Sequence, residues 1–101
     1  MKNKVRPIYF EFQGYLSQAP ELEKGLIFEK EVWTQHNQTI EELESITSKN
    51  YERYKIRPEP INWNGTPRQQ ITIQAYRTIL GGLISRLHGE YFPDEISPIN
   101  K

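Results

Sequence analysis

Between Pro67 and Phe92 apolar residues recur at three- and four-residue intervals, and any fold open to this chain has to bury that stripe. Ile73, Tyr76, Ile79, Leu80, Leu83, Ile84, Leu87 and Tyr91 cover an arc of roughly 140° when wound at the helical pitch. The opposite side is unusual for a soluble helix. Ala75, Gly82 and Gly89 recur seven apart there, beside Thr78, Gly81 and Ser85. Glycine within a helix costs about 1 kcal/mol relative to alanine, so this spacing predicts a close approach by something else. Arg77 and His88 border the stripe on one edge and Arg86 on the other. These nine residues are the expected partner or dimer contact. Three occupants are open at this point: a second copy of the helix, a small anion, nucleotide or peptide, or the chain's own first helix or amino-terminal strand.

A chain of 101 residues forms one domain with a limited core, here read as 1–93 with a loose tail over 94–101. Hydrophobic residues make up 36% and the mean hydropathy is -0.77, so the core is lean and self-association would help it. Thirteen basic and thirteen acidic residues leave a formal net charge of zero. That removes the electrostatic case for a protein coated in nucleic acid or held on an anionic membrane, and leaves room only for a local basic patch. Without cysteine there is neither a disulfide framework nor a thiolate metal site. The stretch Met1–Phe12 lacks an apolar run of signal-peptide length, and no segment approaches the roughly 20 apolar residues that span a bilayer. The triplets Asn37-Gln38-Thr39 and Asn64-Gly65-Thr66 read as incidental. A cytoplasmic protein is the expectation.

Along the chain, Ile8, Phe10 and Phe12 alternate with Tyr9, Glu11 and Gln13, which predicts a strand over Val5–Leu16 with a bend at Gly14. Ser17, Pro20, Glu21 and Glu23 form a helix opening, and Phe28, Val32, Trp33, Ile40, Leu43 and Ile46 share one helical arc up to Ser48. Gly25 places the true start near Leu26. Tyr51–Arg57 alternates again and predicts a short strand, with a continuing helix end as the alternative. Pro58 and Pro60 forbid regular structure, and Asn62-Trp63-Asn64-Gly65 is turn chemistry. Thr66 and Pro67 cap the last helix and Pro93 ends it. The fold class is therefore α+β: two long amphipathic helices packed as an antiparallel pair with one or two short strands, a mainly α arrangement being the alternative.

Catalytic chemistry is sparsely provided. Ser85 and His88 are helical neighbours, but no orienting acid or oxyanion pocket is readable beside them. No catalytic residues, metal ligands or cofactor motif are assigned, since a metal would have to join His36 and His88 from different helices. His36 falls inside an apolar arc and reads as a hydrogen-bonded core residue that loses stability on acidification. Tyr51, Arg53, Lys55 and Arg57 project to one side of the predicted strand about 7 Å apart. They make an anionic-partner surface, or simply its solvated face. Trp63 is a further candidate anchor. The functional expectation is a small, non-enzymatic interaction or regulatory protein, homodimeric through the small-residue face or joined to a protein partner. A nucleic-acid or nucleotide binder using residues 51–57 is the alternative.

Overall fold

Val5, Ile8, Tyr9 and Phe12 stand at helical intervals, and the chain obeys that period rather than the alternating one. The computed structural model describes residues 1–19, 25–27 and 30–95. Residues Lys2–Gln18 form helix α1, so the strand expected over Val5–Leu16 is corrected to a helix. Ile8 and Phe12 belong to both patterns. Phe10 decides between them, since it is 54% exposed while its neighbours Tyr9 and Phe12 are buried. Gly14 sits within the helix and makes no bend.

Leu26–Ile27 form a two-residue strand, β1, and Lys30–Thr47 form helix α2. The predicted opening at Ser17 is not a helix start, because Ser17 lies in α1; Pro20, Glu21, Glu23 and Phe28 lie outside the described residues. Helix α2 buries Trp33, His36, Thr39, Ile40, Leu43 and Thr47. It stops where Ser48 adopts a left-handed backbone angle, φ 58°.

The proline-flanked connector is a hairpin. Strands β2, Glu59–Trp63, and β3, Thr66–Thr72, pair antiparallel around Asn64-Gly65, whose φ values of 50° and 77° suit a tight two-residue turn. Such a turn makes Trp63 and Thr66 a hydrogen-bonded pair. Counting outwards, Asn62–Pro67 and Pro60–Gln69 then fall at non-hydrogen-bonded positions. Each proline therefore directs its missing N–H away from the partner strand, where the ladder loses nothing. The irregular structure expected around Pro60 is corrected on that ground. The side chain of Trp63, the candidate anchor, lies outside the described residues. β1 pairs with the end of β3, giving the antiparallel order β1-β3-β2.

Helix α3 spans Ile73–Tyr91 and begins after Thr72, whose hydroxyl accepts from the Ala75 N–H at 3.1 Å. That residue, not Thr66, is the cap. Of the expected apolar arc, Ile73, Tyr76, Leu80, Leu83, Ile84 and Leu87 are buried, while Ile79 and Tyr91 are half-buried. The class is α+β with a helical majority. Helix α1 packs against both α2 and α3. It runs antiparallel to α3, for Tyr9 stacks on Phe92 at 4.5 Å at one end and Arg77 donates to the Ala19 carbonyl at the other. Arg6 grips the Glu95 carboxylate with two bonds of 3.1 and 2.7 Å, so the stretch read as a tail is anchored as far as Glu95. Residues 96–101 lie outside the described residues.

Candidate binding groove

Residues 51–57 form neither a strand nor the end of α2, and the expectation of a basic strand is corrected. Asn50 Oδ1 accepts from the Glu52 N–H at 2.8 Å and starts a 3-10 turn over Glu52–Tyr54, after which the chain is extended. Tyr51 and Ile56 point inward and are buried, a five-residue interval that no strand face could supply. Tyr51 is thereby removed from the anionic-partner surface. Its hydroxyl donates to Glu90 at 2.9 Å, and burial together with that bond pushes its pKa up.

Helix α2 holds this segment with two consecutive residues. Asn37 clasps Ile56 through both main-chain groups, donating to its carbonyl at 2.9 Å and accepting from its N–H at 2.7 Å. His36 is buried and its Nε2 lies 2.8 Å from the Tyr54 carbonyl. A carbonyl only accepts, so Nε2 carries the proton. Nδ1 is then an acceptor, and it is sealed without a partner among the described residues. The sequence reading of His36 as a hydrogen-bonded core residue matches this arrangement.

The clasped segment forms one wall of a groove of about 560 Å³. Glu52, Arg53, Lys55 and Arg57 line that wall, Glu59 and Gln70 close the end at the sheet, and Ile71, Ala75 and Ile79 make an apolar floor. Two of the surfaces expected from sequence thus meet, because Ala75 belongs to the small-residue face of α3. Glu52 is the electrostatic centre. It pairs with Lys55 at 3.2 Å and Arg57 at 2.8 Å, and hydrogen bonds from these two cations hold its pKa below the usual carboxylate range. Lys55 also reaches Glu41 at 3.3 Å. Arg53 lies over the Tyr54 ring at 5.4 Å and makes no ion pair among the described residues. No protein-family model, curated protein or solved structure matches this chain. The groove therefore has to be read from its own chemistry.

The rest of the small-residue face is not joined to this groove. Thr78, Gly82, Ser85 and Gly89 are exposed and Gly81 is half-buried. A Cβ on Gly82 would meet the Tyr54 ring at an ordinary 3.5 Å, and one on Gly89 would meet nothing within 4 Å. The chain itself therefore does not require these two glycines. The three residues bordering the stripe are engaged internally. Arg77 bonds the Ala19 carbonyl, His88 Nε2 donates to the Glu95 carbonyl at 2.6 Å, and Arg86 stacks on Tyr51 at 4.1 Å while bonding the Asn50 carbonyl and Glu90. Gly89→Ala is expected to raise stability by roughly 0.5–1 kcal/mol, since helix propensity improves and nothing clashes. A lower melting temperature in the variant would show that a second molecule occupies this face in solution.

Sequence reasoning missed Asn37, Glu52, Ile71 and Ile79 as parts of the site. Only Asn50, placed two residues before Glu52, carries a local signal for the turn that shapes it.

Proposed function

We propose that this protein is a small, non-enzymatic interaction module that holds a protein segment bearing a carboxylate next to an apolar side chain. The observation that supports it most is the pairing of Arg53, free of ion pairs among the described residues, with a floor of Ile71, Ala75 and Ile79. Arg57 is 75% exposed and shares Glu52 with Lys55, so it can exchange that partner for an incoming carboxylate at little cost. The alternative of a nucleic-acid or nucleotide ligand is less well served. The wall and end carry three cations against the carboxylates of Glu52 and Glu59, whereas phosphate recognition draws on several uncompensated charges. The non-enzymatic reading is supported by the histidines. His88 spends Nε2 on the Glu95 carbonyl and so offers Ser85 no base there, and His36 is sealed. No group of three or more His, Cys, Asp or Glu able to hold a metal ion occurs among the described residues.

Among those residues no helix is long and apolar enough to cross a membrane, and a cytoplasmic setting is part of the proposal. So is self-association through the exposed Thr78, Ser85 and Gly89, although with Arg77, Arg86 and His88 engaged elsewhere it lacks its expected cationic rim. Light scattering separates a 12.0 kDa species from a dimer of twice that mass.

The direct test is fluorescence anisotropy with a labelled peptide of alternating glutamate and leucine. A lysine–leucine peptide and a mixed single-stranded oligonucleotide serve as comparisons. The acidic peptide should bind, and Arg53→Glu with Arg57→Glu should weaken it by about tenfold or more while leaving the fold intact. Equal affinity of variant and parent would remove the groove from the account. Tighter binding of the oligonucleotide, falling steeply with salt, would favour the nucleic-acid reading instead.

A further inference from the structure

A second cavity, of about 570 Å³, opens where the carboxyl-terminal half of α1 meets the starts of α2 and α3. It owes nothing to the groove described above and shares no lining residue with it. Its volume lies within the span of roughly 300–1,000 Å³ typical of small-molecule sites. Gly14 contributes to the opening, for a Cβ placed there would meet nothing within 4 Å.

The decisive group is Tyr76. It is only 5% exposed, yet its hydroxyl makes no hydrogen bond to any described residue. It is not sealed either, because the one enclosed side-chain polar atom lacking a partner among the described residues is Nδ1 of His36. The Tyr76 hydroxyl therefore meets open space, and the cavity its residue lines is where that space is. A buried phenol whose hydroxyl reaches a cavity without a partner among the described residues offers a donor and an acceptor to whatever enters it.

The charges around the cavity indicate which kind. Among the described lining residues Glu11 is the one side chain of full charge, the nearby Arg77 guanidinium being bonded to the Ala19 carbonyl. One Glu11 oxygen accepts from the Tyr15 hydroxyl at 2.8 Å, which leaves the other open. Two tyrosine rings, a carboxylate and the side-chain amides of Gln18 and Gln35 supply negative potential and acceptors. Ile27 and Val32 supply an apolar wall. We propose that this cavity is a binding site for a small organic ammonium, whose charged nitrogen sits by Glu11, Tyr15 and Tyr76 and whose short apolar body lies on Ile27 and Val32. A carboxylate of the same shape would meet Glu11 and be refused.

Phenethylamine, with 3-phenylpropionate as the oppositely charged analogue, tests this by amide chemical-shift titration of the full chain near neutral pH. Phenethylamine should shift the resonances of Gly14, Gln18, Gln35 and Tyr76 saturably, and 3-phenylpropionate should not. Glu11→Gln, a change at an exposed position, should weaken phenethylamine by about tenfold. Gly14→Leu should abolish binding by filling the space; should that variant fail to fold, Glu11→Gln carries the decision. Arg53→Glu with Arg57→Glu should leave the titration unchanged, which keeps this site distinct from the groove. No saturable shift with phenethylamine, equal binding of the two analogues, or unchanged affinity in Glu11→Gln would each overturn the proposal.

Discussion

Replacing Phe12 by alanine is expected to destabilise the protein by about 3–5 kcal/mol, whereas Phe10→Ala two residues earlier should cost no more than about 0.5 kcal/mol. Phe12 is fully buried and makes edge contacts with Tyr15 at 5.8 Å and His36 at 5.4 Å, so its removal opens a cavity at the junction of α1 and α2. Phe10 lies mostly in solvent, with Tyr9 and the Arg6 guanidinium near its ring. Urea denaturation of the two variants measures the difference. A strand over Val5–Leu16 would put both phenylalanines on one face, and comparable losses would restore it. The contrast is thus a test of the helix itself as well as of the core.

Acid should weaken the fold through a single residue before the carboxylates respond. Burial lowers the pKa of His36 from its ordinary 6.5, and the bond to the Tyr54 carbonyl only partly opposes this. The sign follows from proton uptake. Above about pH 6.5 His36 is neutral in both states, and its buried contacts contribute in full. As pH falls below that value the unfolded chain binds a proton that the folded chain refuses. Stability then declines by at most about 1.4 kcal/mol per pH unit until the depressed native pKa is reached. Glu52, Glu90 and Glu95 add a separate loss at lower pH. Their pKa values lie below the ordinary 4.5, so the folded state resists their protonation. Hydrogen bonds from Lys55 and Arg57 lower the first and the bond from Arg6 lowers the third. Burial would raise Glu90, but bonds from Tyr51 and Lys49 outweigh it. Urea midpoints between about pH 7 and pH 5 should therefore slope downward in the parent and be flat in His36→Phe. A parent without that slope, or a variant that keeps it, would show that His36 is not the group responsible. Because His36 and Asn37 together hold the segment 52–57, loss of peptide binding at the groove should follow the same pH course.

Some of this protein could be read without its structure, and the reason is local. The arc Ile73, Tyr76, Leu80, Leu83, Ile84, Leu87 sustains one period for most of α3, too long for a competing pattern to match. Its burial follows from spacing alone. His36 lies inside a similar arc of α2, and Asn64-Gly65 adopts positive backbone angles that few other pairs accept. Pro93 stops α3, because it has no N–H to extend the ladder and disfavours helical angles at Phe92. Other features depended on what lies across from them. Ile8 and Phe12 satisfy two periods at once, and only the surfaces of α2 and α3 decide that Val5, Ile8, Tyr9 and Phe12 face inward together. Pro60 and Pro67 look like barriers to a sheet until pairing register turns both away from the ladder. Tyr51, Arg53, Lys55 and Arg57 alternate in sequence but not in space, because the core takes Tyr51 and Ile56 while Asn37 of a distant helix clasps the main chain of Ile56. The groove and the amine cavity belong to this second kind. Each is assembled from segments far apart in the chain, and no periodicity within one segment records which other segment will form the opposite wall.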